Sequence, residues 1–472
     1  MNAIQYWNDV ALEANKVSHT NGAKEQTGPP LSARALAIIH LAAYDAYVGT
    51  SPATTLAPYL GLPPAPAGAS TDAAIAHAAH DTLADLFPSQ APDFAAKLAG
   101  AGIGTTQADD DGRAYGTLVA NAILADRSGD PGIGAAGYTV STAHGRHRPD
   151  PDNPGPDQTP HAPYYGAAAR CFGVTVRHTL SAPPAHGSTA YMQALRQVRG
   201  KGIAPHLMGT VPTNVPGISK RTIDETVIGV YWAYDGAKGL GTPPRLYNQI
   251  VRKVAEAKGN TLEEDANLFA QVNVAMADAG ILAWEQKYRS DYDVWRPVVG
   301  IREHDPSTGP AAAAGTNDLN DDTDTAWLPL GAPKTNEIKK NFTPPFPAYP
   351  SGHATFGAAA FQVTRRFYGE IGTGPDKLGV GVDFVSDEMN GINTDNTGAV
   401  RPLHKRSFPQ GLWGMILENS LSRVFLGVHW IFDGYAPKPN GKIDLSQNVG
   451  GVMLGLAIAD DIADIGLKQS TV

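Results

Sequence analysis

LSARALAIIHLAAYDAYV, residues 31–48, places apolar side chains on all but one narrow face at helical spacing and contains no glycine or proline. Such a run is a helix meant for burial from nearly every side, because only helical neighbours can cover so wide an apolar surface. Ala-rich 3.6-residue periodicity recurs over residues 71–87 and 93–126, and β alternation is hard to find anywhere. Helical pattern resumes near Thr222, with helices expected at 223–234, 244–257, 262–288, 353–368 and 408–425. The fold class is therefore all-α. Between them, residues 129–216 and 305–350 are rich in Pro and Gly, as in RPDPDNPG at 148–155, and read as long ordered loops. The expected architecture is two helical bundles with long Pro/Gly-rich loops, divided into 1–215 and 216–472. With 51 Gly and 37 Pro, the loops should wrap the bundles.

The 472 residues carry 37 Lys and Arg against 46 Asp and Glu, a formal charge of −9. No basic run is present, which argues against a nucleic-acid partner or an anionic membrane surface. Any anion must be held by a local cluster. The single Cys171 removes disulfide scaffolds and thiolate-ligated metals. Two uncharged stretches, 46–71 and 342–364, hold five and four prolines, so neither can satisfy its backbone as a lipid-exposed helix. Asp9 and Glu13 interrupt the place where a signal peptide would need an apolar core, which makes a soluble, cytoplasmic location the default expectation, with non-Sec export left open.

Three C-terminal segments concentrate cations and hydrogen-bond donors in apolar, aromatic surroundings: WEQKYRSDYDVWRP at 284–297, PPFPAYPSGHATF at 344–356, and SRVFLGVHWIFD at 422–433. That combination suits a buried oxyanion, whose charge must be met by arginine forks and backbone N–H groups. Ser351 and the Gly352 N–H precede an Ala-rich run and should sit at a helix N-terminus, an anion seat, although Ser351 also fits a plain N-cap. If 422–433 is one helix, Arg423 and His429 are about 9 Å apart along it, and His429 and Asp433 share a face at i, i+4. Asp433 could then take one ring N–H and leave the other nitrogen free.

Arg-Pro, then Ser-Gly-His, then Arg-x5-His, in that order, resembles the vanadium-dependent haloperoxidases, most closely their chloroperoxidase branch, which shares its oxyanion site with the acid-phosphatase and lipid-phosphatase (PAP2) relatives. The likeness extends to YWAYDGAKGLGTPPRLYNQIV at 231–251, HAPYYG at 161–166 and, more weakly, ALAIIHLAAYDAY. It implies vanadate, with vanadium(V), as cofactor and neither haem nor flavin. It implies His429 as the one protein ligand of the metal, and Arg296, Arg423, Ser351 and the Gly352 amide as the groups that hold vanadate oxygens. His353 would be the acid–base histidine, and Asp235 the acid that orients Arg423. Phe346 matches a position where bromide-preferring relatives carry His, and Trp284 an aromatic of the chloroperoxidase pocket.

The implied chemistry is oxidation of chloride or bromide by hydrogen peroxide to hypohalous acid, with vanadium as a Lewis acid and a lysine polarising the bound peroxide. An organic acceptor and homo-oligomerisation are compatible with this reading. In the family, six residues separate that lysine from Arg-Pro, whereas eight separate Lys287 from Arg296. On a continuous helix Arg289 would have the better phase. Lys287 is favoured, with the two extra residues taken up by a bulge or break. Two rivals share the pocket: a soluble acid phosphatase with His429 as nucleophile, and a non-catalytic oxyanion-binding protein.

Elsewhere, the Asp318-x-Asn320-x-Asp322-x-Asp324 alternation is like a calcium loop, but Thr323 stands in place of the turn glycine and Pro329 in place of the closing Glu. His144-Gly-Arg146-His147 reads as a surface salt-bridging knot.

Overall fold

A computed structural model describes residues 1–134, 138–155, 158–315 and 318–472. Residues 135–137, 156–157 and 316–317, all within the expected loop regions, lie outside the described residues. The elements in chain order begin with α1 (Ala3–Ser18), α2 (Pro29–Thr50), α3 (Thr71–Leu86), α4 (Ala91–Gly100) and α5 (Gln107–Asp126). A loop-rich middle carries α6 (Tyr165–Ala168) and α7 (Thr189–Lys201). Then come α8 (Ile223–Tyr231), α9 (Pro243–Lys258), α10 (Leu262–Lys287), α11 (Pro297–Arg302) and α12 (Gly352–Phe367). A two-residue antiparallel pair, β1 (Phe384–Val385) with β2 (Lys405–Arg406), precedes α13 (Gly411–Phe425), α14 (Ile431–Gly434) and α15 (Gly451–Ile465). The fold is all-α.

Local chemistry explains most of the boundaries. Capping boxes start α5 at Thr106/Asp109, α8 at Thr222/Glu225 and α10 at Thr261/Glu264, each satisfying two otherwise orphaned backbone groups. Pro29 opens α2, where its missing N–H costs nothing. The periodic run 93–126 is two helices, not one. Gly100, Gly102 in the left-handed region at φ +73° and Gly104 lie at the break, and Thr106 restarts the helix.

α10 is the axis of the molecule. At 26 residues it is about 39 Å long, and it packs against α2 on one side and α12 on another, with α15 and α6 also in contact. The main apolar core runs from Ile4 to Leu467 across both halves of the chain, with a small separate cluster of Ala233, Leu426 and Val428. Among the described residues α10 is the one helix long and apolar enough to cross a membrane, and 89% of its most apolar window is buried within the protein, as in a core helix. α12 and α15 share the most extensive helix contact. A Cβ on Gly451 or Gly455 would lie 2.4 Å from Ser351 O or 2.5 Å from Thr355 O, so glycine is required for the two backbones to meet. The loops are tied down by buried carboxylates: Asp278 of α10 accepts the N–H groups of Phe172, Gly173 and Val174 at 2.5, 2.8 and 2.9 Å.

Candidate active site

Four pieces of chain converge beside the α10/α12 crossing: the end of α10, the Arg296 turn before α11, the start of α12, and the α13–α14 connection. α10 ends at Lys287, so the phase argument for Arg289 does not apply. Arg289 is part-exposed and pairs with Asp291 at 3.0 Å. Lys287 is fully buried, and its Nζ donates to the carbonyls of Pro347 at 3.0 Å, Ala348 at 3.3 Å and Pro350. Its ammonium lies 5.1 Å from the Phe346 ring centroid and 5.5 Å from that of Trp284. Burial and the nearby Arg296 hold its pKa well below the usual lysine range.

Arg296 is the N-cap residue of α11 and is fully buried. Its Nε donates to Phe346 O at 2.8 Å, and its Nη1 to Val428 O and to His429 Nε2, both at 2.8 Å. Nη2 is buried without a protein partner. Burial lowers the Arg296 pKa to about 9. Arg423, in the last turn of α13, is held by Asp235 on two bonds, and its Nε is likewise buried and unpartnered.

The expected single helix over 422–433 is broken. α13 ends at Phe425, and Gly427 at φ +74° turns the chain, because only glycine enters that region freely. His429 therefore stands in a connection before the one-turn α14. Its pairing with Asp433 survives, through the first turn of α14 instead of a shared helix face: His429 Nδ1 meets Asp433 Oδ2 at 2.8 Å, and the same oxygen accepts from the Trp430 N–H at 2.9 Å. Arg296 Nη1 can only donate, so Nε2 is the acceptor and in the neutral ring Nδ1 carries the proton, directed at Asp433. Burial and then Arg296 push the His429 pKa well below its ordinary value, while burial raises Asp433 to about 7. Asp433 Oδ1 has no partner.

Ser351 caps α12, accepting from the Ala354 N–H at 3.5 Å, and its own N–H donates to Asp433 O at 2.8 Å. His353, on the first turn, is 7% exposed; its Nε2 donates to Ala233 O at 2.5 Å and is 3.9 Å from Asp235 Oδ1. The carbonyl fixes the proton on Nε2, so Nδ1 is the basic nitrogen. Burial, and then Arg423, lower the His353 pKa to about 3.

A cavity of about 140 Å³ opens on this cluster. His353, His429, Arg423, Asp235 and Gly352 form its polar end, and Pro29, Trp284, Phe342, Pro344, Pro345, Phe346 and Phe356 its apolar wall. The Trp284 and Phe346 rings are 4.9 Å apart. Lys287, Arg296 and Ser351 stand behind this wall, Arg296 reaching it through His429.

The N-terminal half also contributes. His161 lines the cavity, its carbonyl anchored by Trp284 Nε1 at 3.1 Å and Tyr288 OH at 2.7 Å, and its Nε2 is buried and unpartnered. A Cβ on Gly28 would fall 2.2 Å from that nitrogen. The HAPYYG stretch was the only sequence signal for His161, and Gly28 had none. His147 is not part of a surface knot; it is 2% exposed, and burial, then the nearby Arg296 and Lys287, lower its pKa well below the ordinary value. In the calcium-like loop, Asp322 and Asp324 are engaged by Arg196 and Arg199, and no group of three or more acidic, His or Cys ligands for a metal ion forms among the described residues.

Two buried arginine N–H groups without acceptors, an added buried lysine and an imidazole whose Nε2 lone pair faces the Arg296 guanidinium form an electropositive pocket that fits a multiply charged oxyanion, and vanadate among them. Family models agree with that chemistry. Residues 1–170 match the vanadium chloroperoxidase N-terminal domain, and residues 267–449 match the second helical-bundle domain of the same enzyme group. The chain is 35% identical to the vanadium chloroperoxidase of Curvularia inaequalis over 583 aligned positions, covering 99% of this chain and 90% of that one. Its fold is also similar to a bacterial vanadium-dependent iodoperoxidase (TM-score 0.62, 19% identity, 97% of this chain and 95% of that one). A holo-type bacterial vanadium-dependent chloroperoxidase is similar too (TM-score 0.62, 14% identity, 93% and 92%). With this fold, these domains and this extent of identity, the chain belongs to the vanadium chloroperoxidase family of vanadium-dependent haloperoxidases.

Proposed function

We propose that the protein oxidises chloride or bromide with hydrogen peroxide, using vanadate held by His429, Arg296, Arg423, Ser351 and the Gly352 amide, with the charge of Lys287 nearby. The observation that carries this reading is the His429 imidazole. Asp433 locks its Nδ1–H, and its Nε2 lone pair is turned toward the buried cations and the cavity. A neutral imidazole fixed in one tautomer by a carboxylate is the form that binds a metal. When bound, vanadium(V) supplies Lewis acidity that makes a peroxide oxygen electrophilic.

The chain's own residues do the rest. Arg296 Nη2 and Arg423 Nε, unpartnered in the protein, offer donors to an oxyanion, and Lys287 adds positive charge from behind the Phe346 wall. His353 presents Nδ1 as a base while Ala233 holds its Nε2 proton, so it is placed to take a proton from incoming peroxide. The apolar wall of Trp284, Phe346 and the prolines strips hydration from a halide entering the cavity. Chloride oxidation fits this dry wall, and bromide, the easier ion to oxidise, reacts as well.

The test is reconstitution of the apo protein with orthovanadate, followed by peroxide- and halide-dependent halogenation of monochlorodimedone. Hydrolysis of p-nitrophenyl phosphate without vanadate, together with no halogenation after loading, would assign the pocket to a phosphatase.

A further inference from the structure

We infer that Glu388 is a positioning residue which, from outside the cavity, sets the segment 233–235 that presents both Asp235 and the Ala233 carbonyl to the anion site. The segment has a conformation it would not keep unaided. Tyr234 is fully buried and has φ +44°, a region that disfavours residues with a Cβ, and it sits between the two groups that touch the site. On one side of it, Ala233 O accepts from His353 Nε2; on the other, Asp235 holds Arg423. A relaxation of Tyr234 would move both contacts together.

What holds Tyr234 is the one-turn segment after β1. Glu388 Oε1 accepts the Tyr234 N–H at 3.3 Å. The Tyr234 hydroxyl accepts from the Asp387 N–H at 2.8 Å and donates to Gln249 Oε1 at 3.1 Å. The Ser386 hydroxyl donates to Tyr231 O at 2.7 Å. Three consecutive residues thus bind the strained stretch at three points. Glu388 is itself completely buried and fixed at its other oxygen, which accepts from Thr335 Oγ1 at 2.5 Å and Arg401 Nη1 at 2.8 Å. A buried carboxylate is costly unless each oxygen is used. Here one oxygen is spent on an ion pair and a hydroxyl, and the other on the backbone of the site segment. No cavity-lining residue hydrogen-bonds to Glu388, so its bonded contact with the site segment runs through the Tyr234 N–H.

This role rests on the reading of Arg423 and His353 as vanadate-site residues. The test is titration of orthovanadate into the folded apo protein by calorimetry, with far-UV circular dichroism and a urea unfolding curve for each variant. Glu388→Ala removes the acceptor and should weaken orthovanadate binding about tenfold or more, the scale of lost outer-shell support. Glu388→Gln keeps an amide oxygen for the Tyr234 N–H while losing the charge paired with Arg401, and should stay within about threefold of wild type even though it unfolds at lower urea. A purely structural role would weaken both in step with stability. Should Glu388→Ala not fold, Glu388→Met, which fills the space without an acceptor, takes its place.

A folded acceptor-free variant with wild-type affinity, or a Gln variant as weak as the Ala one, overturns the inference. Arg423→Ala serves as the control for the underlying reading. If wild type and Arg423→Ala take up orthovanadate equally, the reading of the site fails and the inference fails with it.

Discussion

Asp235 grips Arg423 across 188 residues of sequence, Oδ2 accepting from Nη1 at 3.0 Å and Oδ1 from Nη2 at 2.7 Å, with both side chains no more than 5% exposed. The pair aims the guanidinium and leaves Nε free for another acceptor. Breaking it strands a buried positive charge beside Lys287 and Arg296. Asp235→Ala should therefore lose about 3 kcal/mol of stability in urea unfolding of the apo protein, the low end for a broken buried ion pair. A loss below about 1 kcal/mol would mean that solvent already screens the pair.

Lys287 and Arg289 make opposite predictions. Lys287 ties down three carbonyls of the 347–350 turn and adds its charge to the site, whereas Arg289 meets only Asp291 at the surface. Lys287→Met should lower the halogenation kcat about a hundredfold, the scale of one lost electrostatic donor in a buried site. Arg289→Ala should leave kcat within about twofold, since a surface pair contributes little. The reverse ranking would put the peroxide-polarising charge at Arg289.

Much of this arrangement was legible in the sequence, for unequal physical reasons. Helical periodicity exposed α2, α3, α8 and α10, and Arg-Pro, Ser-Gly-His and Arg-x5-His marked residues whose charge has no place in an apolar run. The His429–Asp433 pairing was expected from i, i+4 spacing, yet it forms through a connection that Gly427 opens. Spacing predicted the contact and missed the geometry, because a one-turn helix at Ile431–Gly434 delivers Asp433 as a helix would. Gly28 and Glu388 were hidden, since each acts through a fold-dependent contact with a distant residue and neither has a local pattern of its own, and HAPYYG marked His161 without showing what it touches. The wall prolines Pro344 and Pro345 lay within a quoted motif, but only their position in the cavity with Trp284 shows what they line.

A pH test is available far from the cavity. His40 lies in the α1–α2–α10 core, its Nδ1 toward Leu36 O at 2.8 Å, its Nε2 toward Asn8 Nδ2 at 3.0 Å and its ring stacked on Phe269. Burial lowers its pKa from 6.5 to about 4. Between those values the unfolded chain binds a proton that the folded chain refuses, so the imidazole adds nothing above about pH 6.5 and destabilises increasingly as the pH falls toward 4, by about 1.4 kcal/mol per unit. Carboxyls with raised pKa, such as Asp45 at about 6, act in the opposite sense, so the measurement is a difference. Urea unfolding of His40→Gln should lose less stability than wild type between pH 7 and pH 5. Parallel curves would show that His40 titrates normally in the folded protein.

The last prediction separates the anchor from its support. Among the described residues His429 supplies the one imidazole nitrogen whose lone pair meets the Arg296 donor at the cavity, so His429→Ala should abolish stable orthovanadate uptake while Arg296 and Arg423 still attract the anion weakly. Asp433 does not line the cavity; it holds the His429 Nδ1–H and the Trp430 N–H with one oxygen. Asp433→Asn replaces that acceptor with an amide that can present either a donor or an acceptor to Nδ1, so the tautomer with a free Nε2 is no longer enforced. Orthovanadate binding should weaken about 10- to 100-fold, the range found when the carboxylate behind a metal-binding histidine is lost. Equilibrium dialysis of both variants against orthovanadate gives the answer. Uptake by His429→Ala at wild-type affinity would show that the arginines alone hold the anion, and Asp433→Asn binding as tightly as wild type would show that the buried imidazole keeps its tautomer without help.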